Sequence, residues 1–131
     1  MYVFRYEIPT QLSDGSSKVN KGPYICSWGD FDVESRNKLH KMISHHSRGE
    51  HPGMFTDFNS TLKKESEMVS DYFCSCPSLE SLKSWFKGYN GPLKQIGFKI
   101  VRYEVSDAIM GKSGKQSFFH PKTIIKKEFV K

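Results

Sequence analysis

The stretch YVFRYEI, residues 2–8, alternates without a break. Tyr2, Phe4, Tyr6 and Ile8 project to one side, and Val3, Arg5 and Glu7 to the other. A period of two with apolar groups on one side predicts a half-buried strand with a polar face. Pro9 ends it, because its nitrogen has no proton to give a ladder. The run Ile100-Val101-Arg102-Tyr103-Glu104 echoes Val3 to Glu7. Two similar strands of one sheet would show it, but so short an echo is better read as chance or shared strand composition. The echo lies in the strongest strand candidate, Phe98 to Val105. There the adjacent Ile100 and Val101 require burial on both faces or a bulge.

Working outward, residues 10–21 are rich in Ser, Gly, Asn and Asp and read as a loop. Asp30 and Asp32 offer N-caps for a helix from about Val33 to Ser47, which Gly49 and Pro52 stop. Residues 61–70 show weak helical patterning. Asp71 to Cys76 reads as a short strand. Ser78 caps the clearest helix, whose apolar face is Leu79, Leu82, Trp85, Phe86 and Tyr89. Asn90-Gly91-Pro92 ends or breaks it before a last turn at Leu93 to Ile96. Gln116 to Phe119 and Ile124 to Val130 complete the strands. The expected fold class is α+β, with a mixed or mainly antiparallel sheet and two main helices in a single domain, 1–131.

Composition narrows the class further. The 131 residues carry 20 Lys and Arg against 14 Asp and Glu, a net charge of +6, and 14% are aromatic. No apolar run approaches the roughly 18 residues of a membrane span, and no secretory leader is legible. Three cysteines, Cys26, Cys74 and Cys76, form an odd set with Cys-x-Cys spacing. That pattern favours reduced thiols over a disulfide framework and a cytoplasmic setting.

Motifs that would announce a chemistry fail on inspection. His40, His45, His46 and His51 lack the spacing of a helical metal site. Gly111-Lys112-Ser113-Gly114-Lys115 resembles a phosphate loop, but Ile109 stands where its first Gly belongs and Gln116 where its Ser or Thr belongs. A basic Gly-rich turn can still meet a phosphate. Arg5 on the polar strand face snorkels at a sheet edge, pairs with Glu7 or Glu104, or binds an anion. No metal and no cofactor is expected.

A longer pattern runs from Phe4 to Phe119: Arg5-x-Glu7, Gly22-Pro23-Tyr24, His51-Pro52 with Asp57, Cys74, Ser78-Leu79-x-x-Leu82-x-x-Trp85-Phe86, Gly97-Phe98, Tyr103-x-Val105 and Gln116-x-Phe118. It resembles a group of small bacteriophage and prophage proteins. The order of polar landmarks is also similar to the ADP-ribosyltransferase-like fold of RES toxins and RNA phosphotransferases. That resemblance implies a nucleotide cleft in which Arg5 meets phosphates, Tyr24 stacks on a base, His51 lines the mouth and Gln116 binds a ribose hydroxyl. Lys112 would add charge. Gln116 stands where transferases commonly carry Glu, so the resemblance favours binding without turnover. The expected partner is a small anionic nucleotide such as an ADP-ribose-like signal, sequestered against bacterial immunity in the host cytoplasm. The alternatives are an NAD-dependent ADP-ribosyltransferase or NAD-cleaving enzyme using Arg5, Tyr24 and Gln116, and a basic nucleic-acid or host-protein binding module. No membrane partner is expected, sequence-specific nucleic acid is not supported, and an oligomer is compatible with the sequence.

Overall fold

The computed structural model describes residues 1–13, 18–46 and 72–131. The elements run β1 (Tyr2–Glu7), α1 (Val33–His46), β2 (Phe73–Ser75), α2 (Leu79–Trp85), α3 (Asn90–Ile96), β3 (Lys99–Val105), β4 (Ile109–Met110), β5 (Ser117–Phe119) and β6 (Ile124–Phe129). The class is α+β. The strands divide between two three-stranded antiparallel sheets, ordered β1-β3-β6 and β2-β5-β4, where one sheet was expected. The sheets join edge to edge where Phe4 and Cys76 exchange two backbone hydrogen bonds of 2.8 and 2.7 Å.

The two echoing segments are antiparallel neighbours. Val3 faces Tyr103, Phe4 faces Arg102 and Arg5 faces Val101. Their alternation creates two layers. Tyr6, Ile8 and Ile100 on one face pack with Leu39, Met42, Leu82, Phe86 and Leu93 of the helical side. Val3, Val101, Tyr103 and Val105 on the other pack with Phe119 and Phe73 of the second sheet. The Arg5–Glu7 face expected to meet solvent is therefore interior, because the 18–22 segment and the second sheet cover it. The adjacent Ile100 and Val101 reflect that two-sided burial. A register shift does occur in β6, where Glu104 pairs with Lys126 but Val105 with Ile124.

Local signals account for the helix ends. Asp32 Oδ1 accepts from the Ser35 N–H at 2.7 Å and opens α1. Ser78 caps α2 in a reciprocal box with Ser81. Asn90-Gly91-Pro92 begins a third helix rather than only ending the second. Its Asn90 amide donates to the Lys83 carbonyl at 3.0 Å, and Asn90 Oδ1 accepts from the Tyr6 hydroxyl at 2.5 Å. Gly97 closes α3 at φ +122, a conformation that disfavours side chains. Gly111 to Lys115 forms the turn of the β4–β5 hairpin. The weak helix expected at 61–70 and the residues His51 and Asp57 lie outside the described residues. Among the described residues no helix is long and apolar enough to cross a membrane.

Candidate functional site

Arg5 and Glu7 sit two positions apart on β1 and point into the space between the sheets. Glu7 is fully buried. Its carboxylate lies 3.1 Å from Arg5 Nε and 3.0 Å from Lys127 Nζ. It also accepts from the Tyr103 hydroxyl at 2.6 Å and the Asn20 N–H at 3.2 Å. Two hydrogen bonds and two cations around one carboxylate offset the loss of its water. Burial and the adjacent carboxylate push the Tyr103 phenol far above its ordinary range.

The Arg5 fork is occupied on its other sides. Nη1 donates to the Cys74 carbonyl at 3.2 Å and Nη2 to the Asn20 carbonyl at 3.4 Å. The guanidinium carbon stands 5.3 Å from the Phe73 ring centroid. Nε is close to Glu7 but off line for a hydrogen bond, so that contact is an ion pair only. Gly22 belongs to the same enclosure: a Cβ there would fall 2.8 Å from Arg5 Nη2 and 3.2 Å from the Tyr6 carbonyl oxygen. Of the two pairings the sequence offers Arg5, the structure forms the one with Glu7. Lys127 completes the network by donating to the Lys18 carbonyl at 2.8 Å and Asn20 Oδ1 at 2.7 Å.

Tyr24 lies on the opposite, helical side. Its ring stacks on Phe86 at 5.8 Å and 26°. Its oxygen accepts from Trp85 Nε1 at 2.6 Å and lies 2.5 Å from His46 Nδ1. Burial is the main cause that raises the Tyr24 phenol, against a smaller opposing effect of the Trp85 bond. Cys74 and Cys76 are near enough to add to the rise. Those thiols are themselves raised by burial, Cys76 to about 12, and Cys26 is raised for the same reason. Cys26, Cys74 and Cys76 form no disulfide among the described residues. Protonated thiols and a protonated phenol are hydrogen-bonding and packing groups at neutral pH, with little nucleophilic character.

The remaining candidates separate in space. Lys112 is exposed on the β4–β5 turn. The turn uses much of its own backbone: Gly111 N–H donates to the Gln116 carbonyl at 2.9 Å, Gly114 N–H to the Gly111 carbonyl at 3.0 Å and Lys115 N–H to Ser113 Oγ at 3.1 Å. Gln116 is buried just before β5. By the strand alternation it shares a side with Phe118, whereas Arg5 packs over Phe73, which pairs with Phe119. Arg5, Tyr24 and Gln116 thus occupy three interior environments. Glu7, Tyr103, Lys127 and His46 are the polar residues missed as site members. Glu7 was legible as the neighbour of Arg5 on one strand face, and His46 as a lone imidazole in an apolar helical stripe. Nothing in the sequence ties Lys127 to either.

The surface is organised by charge. Residues 33–46 contain one carboxylate, Glu34, against Arg36, Lys38 and Lys41; residues 78–97 contain Glu80 against Lys83, Lys87 and Lys94. Lys38 pairs with Glu34 at 3.5 Å. Lys41, Lys83, Lys87 and Lys94 are exposed, and none meets a carboxylate among the described residues. His45 and Tyr89, joined by a 3.0 Å hydrogen bond, lie where the end of α1 meets the turn after α2. On the far end of the same sheet face, Tyr2, Arg102, Glu104, Lys126 and Glu128 line a concavity of about 240 Å³.

These features define a small basic α+β protein whose buried carboxylate is matched by two cations and whose helices carry more cations than carboxylates. The family model for the bacteriophage T4 Y00F protein matches residues 1–131, and the chain belongs to that family. It is a phage protein. No curated protein and no solved structure matches the chain, so the ADP-ribosyltransferase likeness rests on the sequence landmarks alone.

Proposed function

We infer that the protein is a non-enzymatic binding protein for a phosphate-bearing partner, a nucleotide or its polymer. The lysine-rich helical layer would engage it. The observation that carries this reading is the set of exposed lysines at 41, 83, 87 and 94 on the helices, none of which meets a carboxylate among the described residues. A phosphate brought to this layer meets several ammonium groups, and the aromatic Tyr89 and imidazole His45 beside them offer stacking faces. Arg5 is the weaker anchor, because reaching it would mean opening an ion pair with a fully buried carboxylate. In an infected cell, a protein of this kind would sequester a host nucleotide signal in the cytoplasm or coat a nucleic acid.

Two assays separate the partners. Thermal shift with ADP-ribose, NAD and cyclic nucleotides reads the small ligand, and saturation at one hundred times the dissociation constant adds about 2.7 kcal/mol. Fluorescence anisotropy with a labelled oligonucleotide reads the polymer, and that affinity falls steeply as salt rises. The triple variant K83E/K87E/K94E should lose whichever signal the wild type gives. Absence of both signals, or equal binding by the triple variant, would overturn the reading.

A further inference from the structure

We propose that a second copy of this chain docks on the outer edge of β6 and forms a two-fold dimer whose sheets run on into one another. In the order β1-β3-β6, β6 is a terminal strand. Val130 N–H donates to the Ile100 carbonyl at 2.9 Å, so Val130 and, two residues before it, Glu128 turn their backbone groups toward β3. Lys127 and Phe129 turn theirs outward. The register shift at Lys126/Ile124 makes Ile125 the extra residue of a bulge, left unpaired by β3. No strand pairs with this edge among the described residues.

An open edge is ordinarily guarded by a lysine held out in solvent. Here Lys127 carries its ammonium inward to Glu7, and Lys126, which stays exposed, is paired with Glu128 at 2.6 Å. The two apolar side chains flanking Lys127 remain outside, Ile125 at 64% exposure and Phe129 at 53%.

The sequence of the edge selects its occupant. Residues 125–129 read Ile-Lys-Lys-Glu-Phe. Laid antiparallel on a copy of itself about Lys127, the strand sets Ile125 opposite Phe129 and Lys126 opposite Glu128, twice each by symmetry. Apolar groups meet apolar groups, and each ammonium meets a carboxylate. Only Lys127 faces its own kind, and its charge is already spent on Glu7. The outward backbone of 127 and 129 falls in the same phase as this register, so the ladder can close.

Charge reversal provides the test. K126E sets a carboxylate against Glu128 of the copy, and E128K sets an ammonium against Lys126 of the copy. Sedimentation velocity over a micromolar-to-millimolar dilution series should show wild type moving from 15.1 kDa toward twice that mass. Each single variant should dimerise about tenfold more weakly or not at all. An equimolar mixture of the two should restore the dimer as a heterodimer, since like charges of one variant then face the opposite charges of the other. Circular dichroism matching wild type shows that both variants fold, and the heterodimer does so independently. A wild type monomeric at every concentration, single variants that dimerise like wild type, or a mixture that does not pair would each overturn the proposal.

Discussion

Replacing Glu7 by Gln should destabilise the protein more than any surface change. The substitution keeps the volume and one carbonyl acceptor, yet removes the negative charge that Arg5 and Lys127 share. Its amide would also present hydrogens to Arg5 and Lys127, which are themselves donors. Breaking a buried pair by removing one partner costs roughly 3–5 kcal/mol. Lys127 moderates the loss, because its side chain is 24% exposed and can turn to water. Arg5 has no such exit: its side chain is 11% exposed and shut in by Gly22, Phe73 and the Cys74 carbonyl. A loss of about 3 kcal/mol is therefore expected, equivalent to roughly 10–15 °C in Tm for a chain of this size. Urea unfolding should show a lower midpoint at unchanged slope. Adding Arg5→Met should recover part of the loss, a coupling of roughly 1–3 kcal/mol between residues in contact. The reasoning fails if E7Q loses less than about 1 kcal/mol, or if R5M has the same effect with and without Glu7.

Tyr24→Phe removes the oxygen that accepts from the Trp85 N–H and hydrogen-bonds His46 Nδ1, so urea unfolding should show a loss of roughly 1–3 kcal/mol. Gly22→Ala drives a methyl to 2.8 Å from the enclosed Arg5 fork and 3.2 Å from a backbone oxygen. It should cost roughly 1–3 kcal/mol by the same measurement. Asp32 is held below its ordinary value first by its hydrogen bonds from Ser35. A depressed carboxyl stabilises the fold above its unfolded pKa and loses that contribution as pH falls through the lowered folded value. The Tm gap between wild type and Asp32→Asn should therefore be open at neutral pH and close progressively under acid.

Local chemistry was legible where a residue and its consequence lie close in sequence. Asp32 and Ser78 cap the helices they precede. The alternation of residues 2–8 defines a strand, and its echo at 100–104 turned out to be its partner. What covers a strand was not legible. Arg5 and Glu7 look the same on a solvated face and between two sheets. The second sheet is built from pieces of two or three residues, too short for a period to register. Lys127 reaches Glu7 across 120 positions, and no spacing rule spans that distance. The candidate site was read from chain order and resemblance, and chain order does not say which side of a sheet a loop will pack on. Tyr24 went to the helices and Arg5 to the sheets.

The charge balance links the fold to the proposed function. The net charge is +6. Inside the sheet layer, two cations surround one carboxylate and are themselves committed to carbonyl oxygens. On the outer face of the first sheet, Arg102 and Lys126 both meet Glu128, with Glu104 beside them. Neither region has much positive charge to offer an anion. In the helical layer each stretch carries three cations for one carboxylate, and most of those cations are exposed. Surplus positive charge therefore remains on the helices and on the β4–β5 turn with Lys112 and Lys115, while the exposed apolar groups of β6 lie on a different element. The two surfaces can be altered separately: loss of lysines 83, 87 and 94 should leave self-association intact, and reversal of Lys126 or Glu128 should leave the affinity of each protomer for phosphate intact.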